Sequence, residues 1–165
     1  MIDSSVLGER FADALGYAVR AHRHQVRKGV GTPYIAHLLG ATSLAIEGAS
    51  EAGILDEDLA IAAVLHDVVE DHGGVPRLQE VRARFGAEVA RIVEACSDTM
   101  VQDPSAKPPW RARKEAYIAH LETDDVRVLQ VSLADKLHNA RAILLDYREH
   151  GDVLWQRFPD ADVPW

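Results

Sequence analysis

Apolar residues in this chain recur at steps of three and four and never alternate over a useful length, which restricts the fold to packed helices. Phe11, Ala14, Leu15, Ala18 and Val19 mark a first helix. Thr32-Pro33 reads as an N-cap followed by proline at the first helical position, opening a helix toward Glu47. Asp56 caps a strongly apolar run through Leu59, Ile61, Val64, Leu65 and Val68. Pro76 starts a short helix that Gly86 ends, and residues 87–98 read as another. Asp103 to Pro109, with three prolines, is the most loop-like stretch. A helix then opens at Pro109 or Trp110 and runs to about Glu122, and a last one runs from Asp124 to near Gly151. The expectation is an all-α helical bundle forming one domain across all 165 residues.

Composition excludes several classes. With 47% hydrophobic and 27% charged residues, the chain can build both a core and a solvated surface, unlike a disordered chain or a disulfide scaffold. Cys96 is the single cysteine and cannot form an internal bridge. No apolar run reaches the ~20 residues that span a bilayer, and Met1 to Arg10 lacks a signal pattern. A cytoplasmic protein without membrane partners is expected.

Charge is informative once it is located. The net charge of -8 argues against nucleic-acid binding, yet no acidic residue occurs between Asp13 and Glu47, where about five would be expected. That stretch holds Arg20, Arg23, Arg27 and Lys28. A second acid-free island holds Lys107, Arg111, Arg113 and Lys114. Charge alone leaves two readings: a site for a compact anion such as a phosphorylated small molecule, or two solvated helix faces.

The apolar Asp56 helix ends in His66-Asp67-Val68-Val69-Glu70-Asp71. On a continuous helix His66 lies one turn from Glu70, and Asp67 one turn from Asp71. Three carboxylates near a helix C-terminus face the negative end of the macrodipole, so a cation is wanted there. Adjacent His66 and Asp67 offer a nitrogen and an oxygen to one metal ion. Asp135 sits amid Leu133, Ala134 and Leu137, where it is either a ligand or paired with Lys136 or Arg141; Asn139 follows one turn later. His37 falls in the first turns of its own helix, and by itself reads as an ordinary residue.

Three segments carry a resemblance. Ala21-His22-Arg23-His24-Gln25-Val26-Arg27-Lys28 with Thr32-Pro33-Tyr34-Ile35-Ala36-His37, then His66-Asp67 with Glu70-Asp71, then Ser132-Leu133-Ala134-Asp135-Lys136-Leu137-His138-Asn139-Ala140-Arg141 follow one another at family-like spacing. Together they resemble the HD superfamily of metal-dependent phosphohydrolases, and within it the RelA/SpoT-type and small stand-alone alarmone hydrolases. The resemblance implies one Mn²⁺, or another divalent ion, held by His37, His66, Asp67 and Asp135, a ligand set that suits it. It implies that Glu70 and Asp71 position or deprotonate the attacking water, and that Arg27, Lys28 and Asn139 contact a nucleotide. The implied reaction is hydrolysis of the 3′-pyrophosphate of guanosine tetra- or pentaphosphate to GDP or GTP and pyrophosphate. To these we add, from charge and loop position, Lys107, Arg111 and Arg113 as contacts to the distal phosphates.

The match has departures. Gly29-Val30-Gly31 is one residue longer than in the long bifunctional enzymes, Leu38 stands where proline is common, and the chain ends at Trp165, short of a further helix expected near the nucleotide pocket. Two other readings share these residues: an HD-type nucleotidase acting on another nucleotide, such as an adenosine alarmone, and a non-catalytic nucleotide sensor. Cys96, Trp110, Trp155 and Phe158 read as packing residues, while His22, His24 and His138 stand in or beside motifs without an assigned role. His72 carries no argument from sequence. The oligomeric state is not legible.

Overall fold

The most apolar segment of the chain lies at its centre. In the computed structural model, which describes residues 6–29 and 31–157, helix α3 (Glu57–Leu65) is buried from Leu59 to Leu65 without interruption. A helix apolar on every side must be enclosed by others. Around it pack α1 (Glu9–Ala21), α2 (Ile35–Glu51), α6 (Ala87–Cys96) and α8 (Val126–His150). Burying Leu59, Ile61 and Leu65 stabilises the fold by about 1.5–3 kcal/mol each. The remaining elements are the short α4 (Val68–Asp71), α5 (Gly74–Phe85), α7 (Trp110–Leu121) and 3₁₀ segments at Pro104–Ala106 and Gly151–Arg157. Val30, Phe158 and the C-terminal segment through Trp165 lie outside the described residues. Among the described residues no helix is long and apolar enough to cross a membrane.

Capping follows the sequence at one of two expected places, and the structure adds a cap at Asp125. The Asp56 carboxylate accepts from the amide of Leu59 at 2.7 Å, and Asp125 accepts from the amides of Arg127 and Val128. Each such cap is worth about 1 kcal/mol. Thr32, by contrast, does not cap α2. Its carbonyl accepts from the amide of Arg27 at 2.9 Å, Val26 and Pro33 form an isolated β-bridge, and the helix begins only at Ile35. The resulting tight loop presents Arg27 and Lys28 beside the bundle.

Two glycines let α2 and α8 approach closely. A Cβ at Gly40 would lie 2.2 Å from the imidazole of His138, and one at Gly48 equally close to the side chain of Gln130. Small residues on α2, with buried Ala41, Ala45 and Ala49, thus bring the late helix against the early one. This contact brings Asp135 to His37, 98 residues apart in the sequence.

Candidate metal centre and nucleotide cleft

The helix that begins at Asp56 breaks at the residues with the most chemistry. It stops at Leu65, a turn covers His66 and Asp67, and α4 restarts at Val68. The imidazole Nδ1 of His66 donates to the carbonyl of Ala63 at 2.8 Å, the acceptor that an unbroken helix would give to the amide of Asp67. The four polar side chains expected on one helix end therefore fan out. His66 and Asp67 turn inward, Glu70 meets the loop after α6, and Asp71 meets Gln25.

Inward, four side chains from three regions converge. Nε2 of His37 lies 3.4 Å from Asp67 Oδ2 and 3.2 Å from Asp135 Oδ1. Nε2 of His66 lies 3.1 Å and 3.6 Å from the same two oxygens. Both Nε2 atoms are buried without a hydrogen-bond partner. Orphaned buried nitrogens facing carboxylate oxygens are an arrangement that a metal ion would satisfy, and two imidazoles with two carboxylates make a candidate site for a divalent ion. His37 and His66 are raised above the ordinary histidine range: burial opposes the proton, but the bonds and charges of Asp67 and Asp135 outweigh it. Asp67 and Asp135 are held below the ordinary carboxylate range, the facing imidazoles overcoming their burial.

The surroundings orient each of these side chains. Tyr34 OH donates to Asp67 at 2.6 Å, and its proton is secured by burial and by that carboxylate. Lys136 and Asn139 each donate to Asp135 at 2.6 Å, so the pairing considered for this residue coexists with its place in the cluster. His138 was not singled out in the sequence, yet its Nδ1 lies 2.9 Å from Nδ1 of His37 and 3.3 Å from a guanidinium nitrogen of Arg27. Arginine can only donate, so this nitrogen of His138 accepts. The proton between the two rings thus sits on His37 Nδ1, which leaves its Nε2 lone pair for the ion. No periodicity or spacing singles out His138; only the packing at Gly40 does.

Beside this centre lies a cleft of about 430 Å³ whose walls include Arg27, Lys28, Asp71 and Asn139 from the sequence-derived set, together with Tyr34 and Arg157. Arg27 donates to Asn139 Oδ1 at 3.0 Å, so cleft and metal centre are linked through Asn139 and Asp135. Lys107, Arg111 and Arg113 do not line this cleft. Arg111 pairs with exposed Glu115 at 3.1 Å, and Lys107 lies half-buried in the loop before α7. Arg113 binds both oxygens of Asp98 at 2.8 Å, and Lys114 binds Asp98 as well.

That ion-pair group leads back to Glu70. The amide of Asp98 donates to Glu70 Oε2 at 3.1 Å. Burial and the neighbouring Asp98 charge push the Glu70 carboxyl up to about 7. Asp98 itself stays charged despite burial, because Lys114 and Arg113 hold it. A carboxyl poised near neutrality is suited to proton transfer, and this tuning by the second basic island was not visible in the sequence.

Comparison with known proteins gives the family. The human guanosine-3′,5′-bis(diphosphate) 3′-pyrophosphohydrolase MESH1 is 38% identical over 130 residues, which cover 78% of this chain and 66% of that protein. The GTP pyrophosphokinase rsh of Brucella melitensis is 34% identical over 127 residues, 77% of this chain but 16% of that one. A solved structure of a metazoan ortholog of SpoT that hydrolyzes ppGpp superposes with a TM-score of 0.71 at 29% identity, covering 93% of this chain and 85% of the other. The chain thus spans about two thirds of the length of the human relative. Residues 14–156 match the HD domain model, and the chain belongs to the HD domain family.

Proposed function

We propose that this protein is a Mn²⁺-dependent hydrolase that removes the 3′-pyrophosphate of guanosine 3′,5′-bis(diphosphate) or its pentaphosphate analogue. The observation that carries this reading is the convergence of His37, His66, Asp67 and Asp135 beside a cleft walled by Arg27, Lys28 and Asn139. The similarity to human MESH1 and to the SpoT ortholog supports the choice of substrate.

The four ligands would hold the ion, with His138, Tyr34, Asn139 and Lys136 fixing their orientation. When bound, a divalent ion acidifies water and neutralises phosphate charge. Arg27, braced by Asn139 and His138, offers a planar guanidinium to a purine face, and Lys28 adds charge for phosphate. Glu70, near the midpoint of its titration at neutral pH, takes a proton from the attacking water; Asp71, tied to Gln25, positions it. The water oxygen bonds to the phosphorus on the ribose 3′ oxygen, that P–O bond breaks, and the 3′ oxygen ends protonated. Lys107 and Arg111 have no geometric support as phosphate contacts, and our reading gives Arg113 the task of holding Asp98.

The test is a panel of guanosine and adenosine nucleotides with and without a 3′-pyrophosphate, assayed with Mn²⁺. Pyrophosphate is expected with GDP from guanosine 3′,5′-bis(diphosphate) and with GTP from the pentaphosphate. Absence of pyrophosphate from every 3′-pyrophosphorylated nucleotide overturns the proposal.

A further inference from the structure

A second group of donor atoms lies outside the centre described above. Nδ1 of His22, Nε2 of His72 and Oε1 of Gln25 form a triangle with sides of 2.7, 2.8 and 3.0 Å. Asp71 completes the group, with a carboxylate oxygen within 4.8 Å of the ligand nitrogens of both histidines. The orientation of Gln25 is determined by chemistry: its amide nitrogen donates to Asp71 Oδ2 at 2.7 Å, so its amide oxygen must face the histidines. The two ring nitrogens meet at that amide oxygen, each within hydrogen-bond distance of it, and a divalent ion would take the place of the ring protons there. Metal–ligand bonds of about 2.0–2.2 Å set neighbouring ligand atoms about 3–3.5 Å apart, so this triangle would open by a few tenths of an ångström around an ion.

The first imidazole is buried. His22 is 3% exposed, and its other nitrogen, Nε2, is buried with no partner. Burial, with His72 adding to it, lowers the proton affinity of His22, so the ring is kept neutral and available as a ligand. An apolar ring would fill the same space without stranding a polar atom. The backbone of His72 is tied down by Arg77 Nε, which donates to its carbonyl at 2.9 Å, and the two histidine rings meet edge to face with centroids 4.4 Å apart. Entry is open, because Gln25 and Asp71 line the cleft and Asp71 is exposed.

We propose that His22, His72, Asp71 and the amide oxygen of Gln25 form a second metal site, selective for a late first-row transition ion such as Zn²⁺. The donor set differs from the first in the direction that matters. Two imidazoles with a single carboxylate favour zinc, cobalt or nickel, whereas two carboxylates in the first centre suit manganese. The site does not depend on the hydrolase reading. If that reading also holds, occupancy draws Asp71 away from the water it positions, so Zn²⁺ inhibits an enzyme loaded with Mn²⁺.

The experiment counts zinc without using activity. The full chain is equilibrated with excess Zn²⁺, freed of loose ion by gel filtration, and analysed for metal per protein. Wild type is expected to retain two equivalents, His72→Ala one, Asp135→Ala one, and the double variant none, with helical content by circular dichroism unchanged. Long-range ¹H–¹⁵N imidazole spectra of wild type should show His22 Nδ1 and His72 Nε2 shifting together as the second equivalent is added. Retention of one equivalent by wild type, two equivalents in His72→Ala, or unmoved His22 and His72 resonances overturns the site. Because Asp135→Ala removes only the first ion, failure of the second site is distinguishable from failure of the metal centre.

Discussion

The metal centre and the basic segment from Lys107 to Lys114 are both built from charged side chains singled out by composition, but their fates differ. At the centre, charges sit in a buried corner where each has an opposite charge or a donor within bonding distance. Along α7, exposed Arg111 sits on neighbouring, exposed Glu115, whereas Arg113, tied to the buried side chain of Asp98, shares the fixed geometry of the centre. Burial makes the difference. A buried polar group must find partners and so has one geometry, whereas an exposed cation can turn to whichever carboxylate is near.

That contrast can be broken by substitution. The largest effect is expected from Glu70→Gln, which should keep the ion while lowering kcat by roughly 10²–10⁴-fold, as for loss of a general base. Metal content measured beside pyrophosphate release checks the separation of roles. His138→Phe comes next. It removes the acceptor for His37 Nδ1, and metal affinity should weaken by about 10–100-fold, read by Mn²⁺ titration. If affinity is unchanged, the orientation of His37 does not depend on His138.

A subtler probe joins the two regions. The Asp98 charge raises Glu70, so Asp98→Asn should lower the Glu70 carboxyl from about 7 toward its ordinary range. With Glu70 acting as a base, the rising limb of the pH–rate profile then shifts to lower pH. A limb that stays in place or moves upward means that Asp98 does not tune the reacting carboxyl. The smallest effect belongs to Arg111→Ala. Its pair with Glu115 is exposed and local, so stability should change by less than about 0.5 kcal/mol in a denaturant titration, with KM unaltered.

Much of this molecule is legible in the sequence because helices announce themselves by period and cap. Asp56 and Asp125 cap where the pattern begins, and Gly86 separates α5 from α6. Thr32 does not, because its carbonyl is already engaged with Arg27 across a loop that periodicity cannot reveal. The break at His66 is hidden for a related reason: a side chain captures a backbone acceptor, and nothing in the apolar spacing records it. The candidate ligands stand in motifs and could be named, but His138, His22 and His72 acquire partners only when distant segments meet. His138 reaches His37 across Gly40, and His72 reaches His22 across the turn after α4. Asp98 is likewise ordinary in sequence and decisive in space.

The most direct test of the account is an anomalous-scattering map at the manganese edge from crystals grown with Mn²⁺. It predicts a peak bonded by Nε2 of His37, Nε2 of His66 and carboxylate oxygens of Asp67 and Asp135. A map with no peak among these atoms, or with His37 or Asp135 left unbonded to the ion, contradicts it.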